Sequence, residues 1–155
     1  RLPELEALLK SEMKPLWEQS EIKIARVGAT PTLQKLLATL NGRGQVERGL
    51  ENISTILASE KIGQDALNAK QGTVPAYRVS RILLIGNTGS ERFNRECERL
   101  LRNHAERVLG LGLLENSENL FEGLFDSDTT KAILISHKDA VAQTLLALLG
   151  TSGPQ

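Results

Sequence analysis

Strand-length apolar runs alternate with helical patterns three times in the second half of this chain. The runs are Ser80–Ile85, Val108–Leu114 and Lys131–Ile135. Because each run is apolar on both faces, it is typical of a strand in a parallel sheet that helices cover from two sides. The alternation therefore predicts an α/β fold: a small three-layer α/β/α sandwich with a mainly parallel sheet of three or four strands. Ile22–Val27 is the candidate for the fourth strand.

Before residue 72 the pattern is mainly helical. Apolar residues at steps of three and four predict an amphipathic helix over Leu2–Trp17, which Pro15 kinks or ends. Thr32 is predicted to cap a second helix that stops at Asn41-Gly42, and Val46 begins the apolar face of a third. A short last helix is expected around Ile62–Leu67. We therefore divide the chain into a mainly helical N-terminal region over 1–72 and an α/β domain over 78–150 with the order βαβαβα.

The composition of the chain excludes several classes of protein. Among 155 residues, 19 basic and 19 acidic side chains cancel to a net charge of zero, and there is one cysteine. A single cysteine forms no intrachain disulfide, which fits a cytoplasmic location. No run approaches the roughly 18 apolar residues of a membrane span, so we expect no membrane partner. Only five aromatic residues argue against a platform for stacking nucleic-acid bases.

The turn after the first of the three runs is the most suggestive site. It consists of Gly86, Asn87, Thr88, Gly89 and Ser90. Its small residues allow a phosphate to approach the start of a helix, where free N–H groups favour anions. The turn matches neither the P-loop nor the dinucleotide-binding pattern. The alternative is purely structural: two glycines and a capping box from Thr88 to Glu91 turn a strand into a helix.

The helix predicted after this turn carries a stripe of arginines. At 100° per residue, Arg92, Arg95, Arg99 and Arg102 share an arc of about 80°. Four guanidinium groups on one stripe suit the phosphates of a nucleic acid. The alternative is a solvated, salt-bridged face, because glutamates border the stripe at spacings that favour ion pairs within the helix.

No constellation of residues indicates catalysis or metal binding. Cys97 and His104 lie on the apolar arc of the same helix, which favours a place in the core. Ser136-His137-Lys138-Asp139 is chemically rich, but Ser136 and Asp139 have the spacing of a helix cap and its partner. We therefore name no catalytic residue, no metal ligand and no cofactor, and we favour a protein that is not an enzyme.

Residues 80–149 resemble the ribosomal L7Ae/L30e-like family. The similar stretches are RILLIGNTGSERF, ENSENLFEGLF and KAILISHKDAVAQTLLALL. The resemblance implies a small α/β/α sandwich that binds kinked or looped RNA, in some members as part of the translation machinery.

Three functions remain open. The first is an RNA-binding or ribosome-associated module that uses the arginine stripe. The second is a domain that binds small anions or nucleotides at the turn over 86–90. The third is a protein-interaction module whose N-terminal helices form homodimers or dock onto a partner. We favour the first by a small margin.

Overall fold

A computed structural model describes residues 14–16, 22–72, 79–86, 89–114, 119–125 and 130–152. These residues form a mixed α/β fold in which helices pack on both faces of one sheet. The strands are β1 (Lys14–Pro15), β2 (Lys23–Val27), β3 (Val46–Arg48), β4 (Arg81–Ile85), β5 (Val108–Leu113) and β6 (Ala132–Ile135). The helices are α1 (Pro31–Gly42), α2 (Leu50–Gln71), α3 (Glu91–Asn103), α4 (Asn119–Phe125) and α5 (Lys138–Ser152).

The sheet has the order β1-β2-β5-β4-β6-β3. β2, β5 and β4 are neighbours and run parallel, as the apolar runs predict. The two-residue β1 pairs antiparallel with β2 at one edge, so five strands make up the main body of the sheet. The predicted fourth strand, around Ile22–Val27, is confirmed as β2.

β6 differs from the prediction, because it runs antiparallel to both of its neighbours, β4 and β3. The reason lies in the segment that connects it to β5. A parallel strand requires a connection that carries the chain back along the whole sheet. α4 has seven residues and spans only about 10 Å, about half the length of β5. The chain therefore begins β6 at the same end of the sheet at which β5 finishes.

The first half contributes strands where helix was predicted. Val46 lies in β3 and not in a helix, because Gly49 adopts a φ of +86° and separates β3 from α2. Lys14 and Pro15 form β1, so the helix predicted over Leu2–Trp17 does not continue through these two residues. Residues 1–13 of that helix, and Trp17 itself, lie outside the described residues. The two helices predicted around Ile56 and Ile62 are one continuous α2.

Two apolar clusters fill the molecule, one on each face of the sheet. Side chains from α1, α4 and α5 cover one face, here called the α1 face, and side chains from α2 and α3 cover the other, the α2 face. Alternation along β4 sends Ile82 and Leu84 to the α1 face and Leu83 and Ile85 to the α2 face, all at most 2% exposed. Strands from both sides of residue 72 contribute to this core.

The glycines of β5 allow a helix to pack closely on the α2 face. A Cβ atom at Gly110 would lie 2.6 Å from Cδ1 of Leu101, which belongs to α3. The bare face of β5 at Gly110 therefore accommodates α3. Within the part of the chain that the structure describes, no helix is long and apolar enough to cross a membrane.

Candidate functional site

The helices that follow β4 and β5 in the chain pack on opposite faces of the sheet. β4 leads into α3 on the α2 face, whereas β5 leads towards α4 on the α1 face. β4 and β5 are parallel neighbours, so their carboxyl ends lie side by side at one end of the sheet, between helices on opposite faces; this place is here called the crevice. In open α/β sheets, ligands bind in the crevice at this kind of topological switch point. The predicted anion-binding turn, residues 86–90, begins at the same place.

Gly86 closes the end of β4 and does not itself offer an N–H group to a ligand. Its N–H donates a hydrogen bond to the carbonyl oxygen of Lys131 over 2.7 Å. A Cβ atom at this position would lie 3.0 Å from that same oxygen and 3.4 Å from the ring of Phe121. Gly86 is therefore required by packing between β4 and the segment before β6. Asn87 and Thr88 lie outside the described residues.

α3 begins two residues later than the capping box predicted. Its N-cap is Ser90, whose Oγ accepts a hydrogen bond from the N–H of Phe93 over 3.1 Å. The predicted cap at Thr88 is therefore wrong. Gly89 packs against the ring of Phe93, since a Cβ atom there would lie 2.1 Å from Cδ2 of the ring. This contact fixes the approach of the turn to the helix.

The first turn of α3 presents hydrogen-bond donors at the crevice. The N–H groups of Glu91 and Arg92 have no carbonyl one turn earlier in the helix, as at every helix start. The hydroxyl of Ser90 accepts from Phe93 and keeps its own proton for donation. The helix dipole adds partial positive charge at this end. These groups together suit an anion of the size of a phosphate.

Charged side chains around this helix start also favour an anion. Arg92 is exposed in the first turn and forms no ion pair with the described residues. Glu91 would repel an anion, but Arg95 lies 2.6 Å from its carboxylate and offsets that charge. The Cα–Cβ bonds of a helix tilt towards its N-terminus, so the backbone at Arg92 starts the side chain in the direction of the turn.

The structure places the predicted arginine stripe on the exposed side of α3. Arg95, Arg99 and Arg102 are 54–63% exposed and lie 2.6, 2.8 and 4.0 Å from carboxylates of the same helix. The pairing predicted from four-residue spacing is present at Glu91–Arg95 and Glu98–Arg102. Exposed pairs of this kind each stabilise a protein by less than about 1 kcal/mol.

Cys97 and residues 136–139, the other positions with chemically reactive side chains, lie in surroundings that indicate a structural role. Cys97 is fully buried, and burial followed by the charge of Glu96 raises the pKa of its thiol to about 12. A thiol in that state is a core side chain and not a nucleophile. The Oγ atom of Ser136 lies 3.1 Å from Nδ1 of His137 at the exposed start of α5. No third group joins this contact among the hydrogen bonds of the described residues.

A charged cluster lies at the other end of the central strands, where β4 and β5 begin, and the sequence pattern does not predict it. Arg81 donates to both carboxylate oxygens of Glu60 over 3.1 and 2.9 Å, and Arg107 donates to the same carboxylate over 3.4 Å. The partners are 21 and 47 residues apart in the chain, so local spacing carries no sign of the contact. The cluster ties α2 to the starts of β4 and β5.

His104 is buried beside this cluster, as its place on the apolar arc predicts. It is 5% exposed, and its Nδ1 atom has no hydrogen-bond partner among the described residues. Burial, and then the charge of Lys61, lower the pKa of the imidazole below its usual value. Lys61 is held nearby, because its Nζ donates to the carbonyl of Asn103 over 3.0 Å. His104 is therefore neutral at pH 7.

Within the described ranges, no three His, Cys, Asp or Glu side chains are grouped in a way that suits a metal ion. The crevice at the ends of β4 and β5 is thus the place where topology, helix start and charge coincide. Comparison with family models, with curated proteins and with solved structures gives no match to this chain.

Proposed function

We propose that this protein binds a small phosphate-bearing molecule at the carboxyl ends of β4 and β5. The proposal rests on one observation. The parallel neighbours β4 and β5 are followed by helices on opposite faces of the sheet, α3 after β4 and α4 after β5. Ligands of open α/β sheets bind at such points, because the diverging connections leave a crevice between helix starts and strand ends.

The chemistry of the crevice favours phosphate over other ligand groups. The N–H groups of Glu91 and Arg92 and the hydroxyl of Ser90 supply three donors at one helix start, while Arg92 adds a full positive charge. A phosphate oxygen accepts from several donors at once and gains from the dipole of the 13-residue α3. A neutral sugar or an apolar ligand gains little from either feature.

The proposal is tested by thermal unfolding with inorganic phosphate, pyrophosphate and a nucleoside diphosphate at millimolar concentrations. A ligand that binds only the folded state raises the melting temperature. Arg92→Glu reverses the charge at the helix start and should abolish the increase, while a carboxylate in the first turn keeps the helix stable. Arg102→Glu is the matched control, because it makes the same charge change on the same face at the far end of α3.

An increase that Arg92→Glu removes and Arg102→Glu retains supports the crevice. An unchanged melting temperature with all three compounds contradicts the proposal. Equal loss in both variants also contradicts it, because the anions then respond to the general charge of the helix.

RNA binding through the stripe of Arg92, Arg95, Arg99 and Arg102 is the second candidate function. The observation that favours it is the exposure of all four side chains along one face of α3. The resemblance of residues 80–149 to the L7Ae/L30e-like family points the same way. RNA bound through phosphates should leave the protein as salt rises from about 50 to 500 mM, and the ratio of absorbance at 260 and 280 nm should fall. Binding that survives replacement of Arg95 and Arg99 by alanine would exclude the stripe.

A further inference from the structure

A groove of about 430 Å³ lies beside β3, at the edge of the sheet opposite β1. Side chains from the end of α1, the start of α2 and the end of α4 join β3 in forming it. The lining residues are Asn41, Val46, Glu47, Arg48, Asn52 and Phe125. Its volume is within the range of ligand-binding clefts. The groove is distant in the sheet order from β5 and independent of the proposed phosphate site.

The groove runs alongside the strand and not over one face of it. Val46 belongs to the core of the α1 face, so alternation directs Arg48 to that face as well and Glu47 to the α2 face. Side chains on both faces line the groove. A space in contact with both faces of a strand lies at its free edge, in the plane of the sheet. β3 pairs only with β6 among the strands that the structure describes.

The ladder between β3 and β6 shows which main-chain groups point into this space. The N–H of Ser136 donates to the carbonyl of Gln45 over 3.1 Å, which makes residue 45 a hydrogen-bonded position of the antiparallel pair. Such positions alternate, so Glu47 is the next one, and Val46 and Arg48 direct their N–H and C=O groups away from β6. The carbonyl of Arg48 accepts a long 3.5 Å contact from Asn52.

We propose that the free edge of β3 binds an extended peptide segment of another protein, which adds a strand to the sheet. The outward main-chain groups of Val46 and Arg48 supply the hydrogen bonds of such an addition. Opposite charges in direct cross-strand pairs stabilise a sheet. The partner segment therefore carries an acidic residue opposite Arg48, a basic residue opposite Glu47 and an apolar residue opposite Val46.

The surroundings of Arg48 hold its charge in place for that pairing. Its guanidinium lies over the ring of Phe125, 4.7 Å from the ring centre. On the other face, the carboxylate of Glu47 accepts from the side-chain amide of Asn52 over 3.3 Å. The two faces of the edge thus present opposite and fixed charges, which distinguishes a charge-alternating peptide from a uniformly charged one.

The test uses a fluorescein-labelled peptide of sequence threonine–glutamate–lysine–valine–threonine and fluorescence anisotropy with the full chain. In an antiparallel addition, the valine opposite Val46 directs its N–H to the protein, whereas the lysine directs its N–H to solvent. N-methylation of the valine should weaken binding about tenfold or more. N-methylation of the lysine is the matched control and should leave binding unchanged.

A charge exchange gives a second readout. The double variant Glu47→Lys with Arg48→Glu should bind the original peptide about tenfold more weakly. It should recover binding to a peptide in which glutamate and lysine have exchanged places, which shows that the variant is folded. No binding of the original peptide at about 1 mM would overturn the proposal. Equal affinity for the two N-methylated peptides would overturn it as well.

Discussion

His104 shows how the fold sets the chemistry of a single residue. It is the C-cap residue of α3, and the apolar arc of the predicted helix already locates its side chain in the core. Burial is the main cause of the lowered pKa of the imidazole, and the charge of Lys61, which lies in α2 more than 40 residues away, lowers the pKa further, so the local sequence shows only part of the cause.

This lowered pKa predicts a loss of stability in acid. An exposed imidazole titrates near 6.5, so below that pH the unfolded chain binds more protons than the folded one. The free energy of unfolding should therefore fall as the pH drops from 7.5 to 5.5, by at most about 1.4 kcal/mol per pH unit from this site. Urea denaturation at both pH values measures the loss.

The variant His104→Gln should show a smaller decrease between the two pH values. His137→Gln is the control, because His137 is exposed, and it should behave as the unmodified protein does. A decrease of the same size in His104→Gln and in the unmodified protein would assign the acid sensitivity to other groups.

At the scale of elements, the helix caps differ from their predicted positions. Thr30 is the N-cap of α1, where its side chain accepts from the N–H of Leu33 over 3.1 Å, and Pro31 occupies the first turn. Thr32, the predicted cap, is exposed inside that turn. Thr30 and Thr32 are two residues apart, so the sequence pattern does not distinguish them as helix caps. The direction in which the chain leaves β2 selects Thr30.

Alanine at each threonine separates the two roles. Thr30→Ala should lower the free energy of unfolding by about 1 kcal/mol, because the N–H of Leu33 loses its acceptor. Thr32→Ala should change it by only a few tenths of a kcal/mol, since alanine is a better helix former than threonine. Chemical denaturation of both variants checks this difference, and a larger loss in Thr32→Ala would contradict the assigned cap.

The strands that were predicted are those with strong local patterns. β5, β6 and all of β4 after Arg81 consist of apolar residues and glycines, and their burial on both faces follows directly from that composition. β3 was missed because three residues next to a helical pattern carry too little periodicity. The antiparallel direction of β6 depends on the short α4, and the sequence pattern predicts the strand without its direction.

At the scale of the whole molecule, both halves of the chain build one core. From the first half, α1 contributes Leu33, Leu37 and Leu40 to the α1 face, and α2 contributes Ile53 and Leu57 to the α2 face, all at most 1% exposed. The candidate crevice could be predicted in part, because strand ends and helix starts lie at one edge of a parallel sheet. The charged cluster at Glu60 could not, since its members meet only in the folded chain.

A fragment of residues 78–155 tests how far the second half depends on the first. Without α1 and α2, both faces of β4 and β6 lose part of their apolar cover, and β2 and β3 no longer pair with the sheet. We expect the fragment to show no cooperative thermal transition, whereas the full chain unfolds cooperatively. A cooperative transition in the fragment, followed by circular dichroism, would show that residues 78–155 fold as a separate domain.

An NMR titration reports on phosphate recognition at the start of α3 residue by residue. Amide ¹H–¹⁵N correlation spectra of the labelled chain are recorded while pyrophosphate is added. Phosphate binding at this site should produce saturable shifts concentrated at Gly89, Ser90, Glu91 and Arg92, with little change at Arg102 at the far end of the same helix. Shifts that are absent, or that extend evenly along the arginine stripe, would contradict it.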